Sequence, residues 1–232
     1  MKMDAIGQTQ SCAAVASPRL FAHLPQWRCL LKRGLGLTLA ESRNSPVAIE
    51  MLHRMLCTPI FHIDTNLINA RGKLETMNQM EKWAEDEVIL VHMSGVSFKE
   101  AQAGGNVART RKALTHIFTL TDEDIAPEDP TYRRIEAALF PNGAKSDNER
   151  NDVKVVYEAK HYAAILVTRD GGSRTQPGGI LGNRHKLKDF VEILSDVEAV
   201  EFIRGKIAER DKFNQRVARE CGGVLPEWTG RD

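Results

Sequence analysis

Four acidic side chains lie close to short apolar runs of the kind that form buried strands. Asp64 ends the run IFHID, Asp170 follows the run ILVT, and Glu100 comes shortly after the run VILVHM. Asp152 stands near the start of the helical pattern NDVKVVYEAKHYAA, which leads into the strand before Asp170. The carboxyl ends of parallel strands meet at one edge of a sheet. We therefore expect three of the acids at that edge, and Asp152 joins them only if the chain ahead of its helix crosses back there.

Carboxylates that converge in this way need a counter-charge. Like charges a few ångströms apart raise one another's pKa, and a divalent cation relieves the repulsion. A site built only from oxygen donors suits Mg²⁺ or Mn²⁺. The predicted metal ligands are Asp64, Glu100, Asp152 and Asp170.

Each acid also has a local explanation that involves no chemistry. Asp170 precedes two glycines, and Asp-Gly is a common turn pair. Glu100 stands three residues after Ser97, the spacing of a helix capping box, and Asp152 could complement a helix dipole. Asp64 is harder to explain locally, because no glycine turn follows it and a carboxylate against an apolar strand needs a partner.

The surrounding sequence alternates strand and helix patterns from residue 59 onward. We predict strands at 60–64, 88–93 and 165–168 and within VEILSD, and helices at 74–87, 97–104, 106–120, 132–140 and 151–164, with a closing helix after a Ser195/Glu198 capping box. Alternating strands and helices with short connections are typical of a parallel sheet covered by helices. The predicted fold class is α/β.

The composition is that of a soluble globular protein. The 232 residues include 32 lysines and arginines against 31 aspartates and glutamates, so no overall basic field points to nucleic acid. The four cysteines lack CxxC spacing, which indicates free thiols in a reducing compartment, and no apolar run is long enough to span a membrane. We expect a cytoplasmic protein that does not act at a membrane.

The domain organisation predicted from these patterns is one domain with an extension at each end. Residues 1–58 are basic, lack a sustained hydrophobic period and are predicted to be a poorly ordered extension. Their arginine-rich, acid-poor character is that of a transit peptide, but no clear amphipathic face accompanies it. The main domain is predicted at 59–194, and 195–232 form a C-terminal helical extension of it.

Three segments together resemble the PIN domain family of metal-dependent nucleases. They are IDTNLINA at 63–70, the acid Glu100 after a strand, and NDVKVVYEAKHYAAILVTRD at 151–170. The family's metal-binding acids then fall on the same positions: Asp64, Glu100, Asp152 and Asp170. The resemblance covers roughly residues 59–190, and the chain departs from the compact bacterial toxin members through an insertion at 121–150 and a longer C-terminus.

The resemblance implies a PIN-like three-layer α/β/α fold and a metal-dependent endonuclease that cleaves phosphodiester bonds, most often in single-stranded RNA. Asp64 would be the central metal ligand, Asp152 and Asp170 would complete the set, and Glu100 would bind metal or water. The implied partner is an RNA substrate. An antitoxin protein and a second copy of the chain stay open as partners.

Neighbouring residues complete the predicted site. Asn66 and Thr168 are candidates to orient the carboxylates through hydrogen bonds. Asp147, in KSDNERND, is an alternative to Asp152 as the third acid, although the distance of Asp152 from Asp170 along the chain fits the family pattern better.

Basic residues near the predicted site could hold phosphate. Arg169 and Arg174 flank the glycines after Asp170 and are predicted to contact phosphate. The basic run at 109–112 could do the same or form a solvated helix face. The glycines themselves are compatible with a mobile loop or a plain hairpin.

Other enzyme classes fit less well. A haloacid-dehalogenase-like phosphatase needs a second acid two residues after Asp64, where this chain has Asn66, and a nucleotide-binding Rossmann domain needs a glycine fingerprint that DTNLINARG lacks. The main alternative is a catalytically inactive PIN-like module that binds RNA or a partner protein.

Overall fold

The computed structural model describes residues 54–69, 71–103, 105–116, 118–119, 128–172, 177–221 and 224–232. The strands are β1 (Phe61–Ile63), β2 (Val91–Met93), β3 (Phe118–Thr119), β4 (Ile165–Val167) and β5 (Glu192–Leu194). The helices are α1 (Glu75–Glu85), α2 (Gly95–Ala103), α3 (Val107–His116), α4 (Pro130–Leu139), α5 (Asp147–His161), α6 (Gly179–Gly182), α7 (Arg184–Leu187) and α8 (Asp196–Cys221), and a 3₁₀ turn covers Thr65–Leu67. The predictions for residues 1–53 and 120–127 and for Arg174 lie outside the described residues.

The five strands form one sheet in the order β3-β2-β1-β4-β5. Every neighbouring pair in this sheet is parallel, so the carboxyl ends of all five strands share one edge. In the centre, Phe61 of β1 lies opposite Val91 of β2 on one side and Ile165 of β4 on the other. The predicted α/β class with a helix-covered parallel sheet is confirmed.

Apolar side chains cover both faces of the sheet, as the alternation of strand side chains requires. Phe61 and Ile63 of β1 pack in one cluster with Trp83 of α1 and Ile203 of α8. Leu166 of β4 lies in the second cluster, whose other members include residues of α4, α5 and β5. The molecule therefore has three layers. Because helices cover both faces of the sheet, most strand side chains are apolar.

Two predicted elements differ from the observed ones. The helix predicted at 151–164 begins earlier, at Asp147, because Ser146 and Glu149 form a capping box that local apolar periodicity does not reveal. The helix predicted at 106–120 ends at His116, and Phe118–Thr119 pair with β2 instead. Pairing with a strand distant in sequence overrides the local helical pattern there.

The first described residues pack on the domain. Leu56 is buried in the core, its backbone N–H donates to Val88 O at 2.8 Å, and Arg54 pairs with Asp232 at the other end of the chain. The first half of α8 is also part of the core, where the ring of Phe202 contacts that of Phe61. No helix among the described residues is long and apolar enough to cross a membrane.

Candidate active site

Asp64 lies at the carboxyl end of β1 and caps the 3₁₀ turn that follows. One carboxylate oxygen accepts from the backbone N–H of Thr65 at 2.6 Å, and the other accepts from Asn66 Nδ2 at 2.6 Å and Thr168 Oγ1 at 2.7 Å. Thr168 reaches Asp64 because it follows β4, which pairs with β1 in the sheet. Both residues predicted to orient the carboxylates, Asn66 and Thr168, therefore contact this one.

Glu100 lies on α2 and faces the same edge of the sheet. Its carboxylate accepts from Thr65 Oγ1 at 2.7 Å and from Asn151 Nδ2 at 2.8 Å. The capping-box explanation for Glu100 is wrong, because α2 begins at Gly95 and Ser94 Oγ, rather than Ser97, accepts a backbone N–H at the helix start. The side chain links the first strand's loop to α5.

Asp152 is brought to this edge by the hydrogen bond between its neighbour Asn151 and Glu100. Burial raises the pKa of Asp152 to about 8, and the negative charges of Asp170, Asp64 and Glu100 contribute to the rise. The helix-dipole explanation does not hold, since α5 begins at Asp147 and Asp152 lies beyond its first turn. The chain ahead of α5 has thus crossed back, which the convergence required.

Asp147, the alternative third acid, is an exposed residue that pairs with a neighbour on its own helix. Its side chain is 91% exposed and pairs with Arg150 at 2.7 Å. It belongs to the first turn of α5 together with Glu149. The structure therefore favours Asp152 over Asp147 as the acid near the cluster.

Asp170 follows β4 and is held by the backbone of the glycine-rich segment. Its two carboxylate oxygens accept from Gly172 N at 3.1 Å and Ile180 N at 2.7 Å. Gly179 lies so close that a Cβ there would collide with the Asp170 carboxylate, and its φ of +53° is also unfavourable for other residues. The predicted Asp-Gly turn is present, and the same carboxylate faces the acidic cluster.

The four carboxylates interact electrostatically. Burial raises the pKa of Asp64 to about 6 against the hydrogen bonds from Thr168 and Thr65, and the charges of Glu100 and Asp170 add to the increase. Among the described residues, none of the four forms an ion pair with lysine or arginine. The four positions predicted from the sequence thus concentrate negative charge at one edge of the sheet.

The donors fit a hard divalent cation in kind, since all are carboxylate oxygens with amide and hydroxyl groups beside them. Within the described part of the chain, however, no three acidic, histidine or cysteine side chains are close enough to form a ready-made metal site. A cation would therefore have to draw the side chains of Asp64, Asp152 and Asp170 together.

The predicted phosphate-binding residues have different surroundings. Arg169 forms a two-point ion pair with the buried Asp196 of α8, at 2.7 and 2.6 Å. Of the basic run, Arg109 donates to the backbone carbonyl of Thr65 beside the acids, whereas Lys112 pairs with Glu81 at 2.7 Å. Arg109 is thus the member of the run that reaches the site.

Sequence reasoning missed three residues that support the acids. Thr65 and Asn151 bind Glu100, and Gly179 leaves room for the Asp170 carboxylate. Thr65 and Asn151 each stand next to a predicted acid in the sequence, which is a weak signal for such a role. Nothing local distinguishes Gly179 from the other glycines of its segment.

Comparison with known proteins finds only distant structural similarity. No protein-family model matches the sequence, and no curated protein matches it. The structure is similar to a chain of VapBC2 from Rickettsia felis, solved bound to a DNA fragment from the promoter, with 17% identity over 59% of this chain and 98% of that chain and a TM-score of 0.41. It is also similar to a chain of FitAB bound to the IR36 DNA fragment, with 17% identity over 59% and 94% of the two chains and a TM-score of 0.39. These similarities concern the fold alone.

Proposed function

We propose that the chain is a Mg²⁺- or Mn²⁺-dependent endonuclease that cleaves phosphodiester bonds in single-stranded RNA. The observation that carries this proposal is the approach of Asp64, Glu100, Asp152 and Asp170 at the carboxyl edge of the sheet, where burial, with the charges of the other three acids, raises the pKa of Asp152 to about 8. RNA as the substrate rests on the resemblance of the sequence to PIN domains. An antitoxin protein and a homodimer rest on the same resemblance and belong to the proposal.

The four acids would divide the work of holding the metal and the water. Asp64, Asp152 and Asp170 would be the ligands, with Asp64 in the centre, and Glu100 would bind metal or water. A bound cation would help deprotonate the attacking water and stabilise the leaving oxygen of an in-line displacement. Asn66 and Thr168 keep the Asp64 carboxylate in one orientation through their hydrogen bonds.

The protonation of Asp152 would make metal binding and activity depend on pH. With its pKa raised to about 8, its carboxyl group holds a proton through much of the neutral range. The proton must leave before the carboxylate can serve as a ligand. Activity should therefore rise with pH across the neutral range.

Arg109 and Arg169 would contact the phosphate backbone of the RNA. Arg109 is fixed against the Thr65 carbonyl, and the second arginine is held by Asp196. Such contacts position a strand without reading its sequence. Arg174 keeps its predicted role in phosphate binding as a further proposal.

The test is cleavage of single-stranded RNA by the purified full chain in Mn²⁺ and in chelator. We expect cleavage that requires Mn²⁺ and that Asp64→Asn abolishes, because the substitution removes the charge at nearly constant volume. Asp147→Asn is the matched control and should cleave like the unmutated chain, since Asp147 is exposed and pairs with Arg150. Cleavage that persists in chelator or in Asp64→Asn would overturn the proposal.

A non-catalytic PIN-like module is the second candidate. It is favoured by the lack of a ready-made group of three metal ligands within the described residues. Such a protein would bind single-stranded RNA or a partner protein without cleaving RNA in Mn²⁺. The same assay separates the two functions when RNA binding is measured beside cleavage.

A further inference from the structure

A groove lies beside the acidic cluster, between the segments that follow β4 and β5. It has a volume of about 600 Å³ and is lined by Gly171, Gly178, Leu181, Gly182, Arg184 and Val197, among others. The groove is joined to the cluster by direct contact, because Gly171 follows Asp170 and Leu181 N donates to Asp170 O at 3.1 Å. It therefore extends the carboxyl edge of the sheet, where parallel α/β proteins bind ligands.

The floor of the groove is apolar and accessible. Val197 in the first turn of α8 leaves 51% of its surface exposed, and Leu181 beside it is half-buried. Three of the lining residues are glycines, which let a flat group approach the backbone closely. An apolar floor with glycine walls suits the face of a ring better than it suits a charged or extended group.

The walls are held in place by polar contacts. Arg184 Nη1 binds both carboxylate oxygens of Glu198, at 2.8 and 2.7 Å, and Glu198 in turn closes a capping box with Ser195. Both contacts of Arg184 use Nη1, so in the described part of the chain its Nε and Nη2 groups stay open to a ligand. Asn183 fastens the other wall through Gly179 O at 2.7 Å and Pro177 O at 3.1 Å.

Arg184 and His185 line the groove together with Glu198, which pairs with Arg184, and two lysines follow them in the chain. The segment RHKLK at 184–188 exposes Arg184, His185, Lys186 and Lys188 around α7. This run was not among the basic residues that the sequence pattern pointed to. Closely spaced cations of this kind complement the phosphates of a nucleic-acid strand.

We propose that the groove receives the base and ribose of one nucleotide of the single-stranded RNA substrate, next to the phosphate held at the carboxylates. The base lies against Leu181 and Val197, and Arg184 contacts the adjoining phosphate. This inference rests on the proposed function and assigns to this groove the part of the strand that flanks the cleavage point. It predicts that cleavage depends on the identity or presence of the base at one flanking position.

Filling the groove tests the proposal without touching the acids. A Cβ at Gly182 would meet no atom within 4 Å, so Gly182→Leu can place its side chain in the groove. Gly205→Leu is the matched control, because Gly205 lies on α8 outside the groove and a Cβ there also meets no atom within 4 Å. Thermal melts of both variants check that they fold.

The readout is binding of a short fluorescent RNA by anisotropy in chelator, where cleavage does not occur. We expect Gly182→Leu to weaken binding about tenfold, equivalent to about 1.4 kcal/mol, and Gly205→Leu to leave it unchanged. An RNA with an abasic nucleotide at the flanking position should bind the unmutated chain about tenfold more weakly as well. It should bind Gly182→Leu no more weakly than the intact RNA does, because the variant has already lost that contact.

The outcomes separate this inference from the function on which it rests. Equal binding of RNA by the unmutated chain and by both leucine variants would overturn the groove assignment alone. So would an abasic RNA that binds Gly182→Leu about tenfold more weakly than the intact RNA does. Absence of both RNA binding and Mn²⁺-dependent cleavage in the unmutated chain would overturn the proposed function. If Gly182→Leu does not fold, NMR shift changes at Gly182 and Val197 on adding RNA to the unmutated chain support the assignment, and their absence contradicts it.

Discussion

Two groups of acidic side chains in this protein differ in whether arginine side chains neutralise them. At the ends of the described chain, Asp232 is almost fully buried and pairs with Arg54 at 2.6 Å and Arg210 at 2.8 Å. Burial alone would raise the pKa of Asp232, but the two arginines outweigh it and lower the pKa. Arg210 also binds Asp211 at 2.8 Å, so each acid of this group has a cation.

The carboxylates at the edge of the sheet receive hydrogen bonds only from neutral groups within the described residues. Asp64 is bound by a threonine, an asparagine and a backbone N–H, and the oxygens of Asp170 by two backbone N–H groups. The pKa values of Asp64 and Asp152 rise where that of Asp232 falls. The difference shows that the fold can neutralise buried acids with arginine and leaves four uncompensated at the place where a cation would be used.

The largest expected effect comes from breaking the compensated group. Arg210→Gln leaves the buried Asp211 without its cation, whereas Asp232 keeps Arg54. We expect it to reduce the free energy of unfolding by about 3 kcal/mol, the lower end of the usual cost of a buried charge that has lost its partner. Lys206→Gln, which removes a partly exposed ion pair with Glu209, should cost no more than about 1 kcal/mol. Urea denaturation of both variants measures the difference, and equal losses would remove the contrast between the two groups.

Gly179→Ala should disturb the uncompensated group by displacing the Asp170 carboxylate. We expect a loss of about 1–3 kcal/mol in stability from the strained backbone, together with a smaller stabilisation by Mn²⁺ in thermal melts. Gly178→Ala is the control, because its φ of +83° imposes a similar strain and its Cβ would approach Gly182 rather than Asp170. A Mn²⁺ response reduced equally in both variants would mean that backbone strain, and not the carboxylate position, is responsible.

Removing one charge from the uncompensated group should stabilise the metal-free protein or leave its stability unchanged, unlike the two preceding substitutions. At about pH 9, where Asp152 is ionised, Asp152→Asn relieves repulsion on the order of 1 kcal/mol per charge pair, so the metal-free variant should be at least as stable as the unmutated chain. Millimolar Mn²⁺ should then raise the melting temperature of the unmutated chain more than that of the variant. Asp147→Asn serves as the comparison, and identical Mn²⁺ shifts in all three proteins would exclude Asp152 from the site.

The last expected effect is the pH dependence of the metal-free protein. The pKa of Asp152 is raised from its model-compound value of 3.8 to about 8, so its contribution to stability is full below about pH 4 and is lost as the pH rises through 8. The unmutated chain should therefore lose stability between pH 5 and pH 9 in chelator, measured by urea denaturation, relative to Asp152→Asn. Parallel curves for the two proteins would show that the charges do not couple.

Much of the site could be predicted because its signals are local. A short apolar run that ends in a carboxylate is visible for Asp64 and Asp170, and the rule that parallel strands end at one edge brings them together. Asn66 and Thr168 were predictable for the same reason, since each stands two residues from one of these acids. Their roles as ligands and orienting groups stay predictions until metal binding is measured.

Other features depend on contacts between segments far apart in the chain. The partners of Glu100 come from Thr65 and Asn151, and the cation of Asp196 is Arg169, none of which a local pattern could select. The start of α5 at Asp147 and the end of α3 at His116 were also decided by tertiary structure, through a capping box and a strand pairing.

By itself, the sequence determined the α/β class, the order of most elements and the acids at the strand ends, because hydrophobic periodicity acts over neighbouring residues. Only the tertiary structure decided that the chain ahead of α5 brings Asp152 near the other acids, that Arg169 is held by Asp196, and that a groove opens between the ends of β4 and β5. These choices depend on which surfaces meet when the layers pack, and packing joins residues that no local pattern relates.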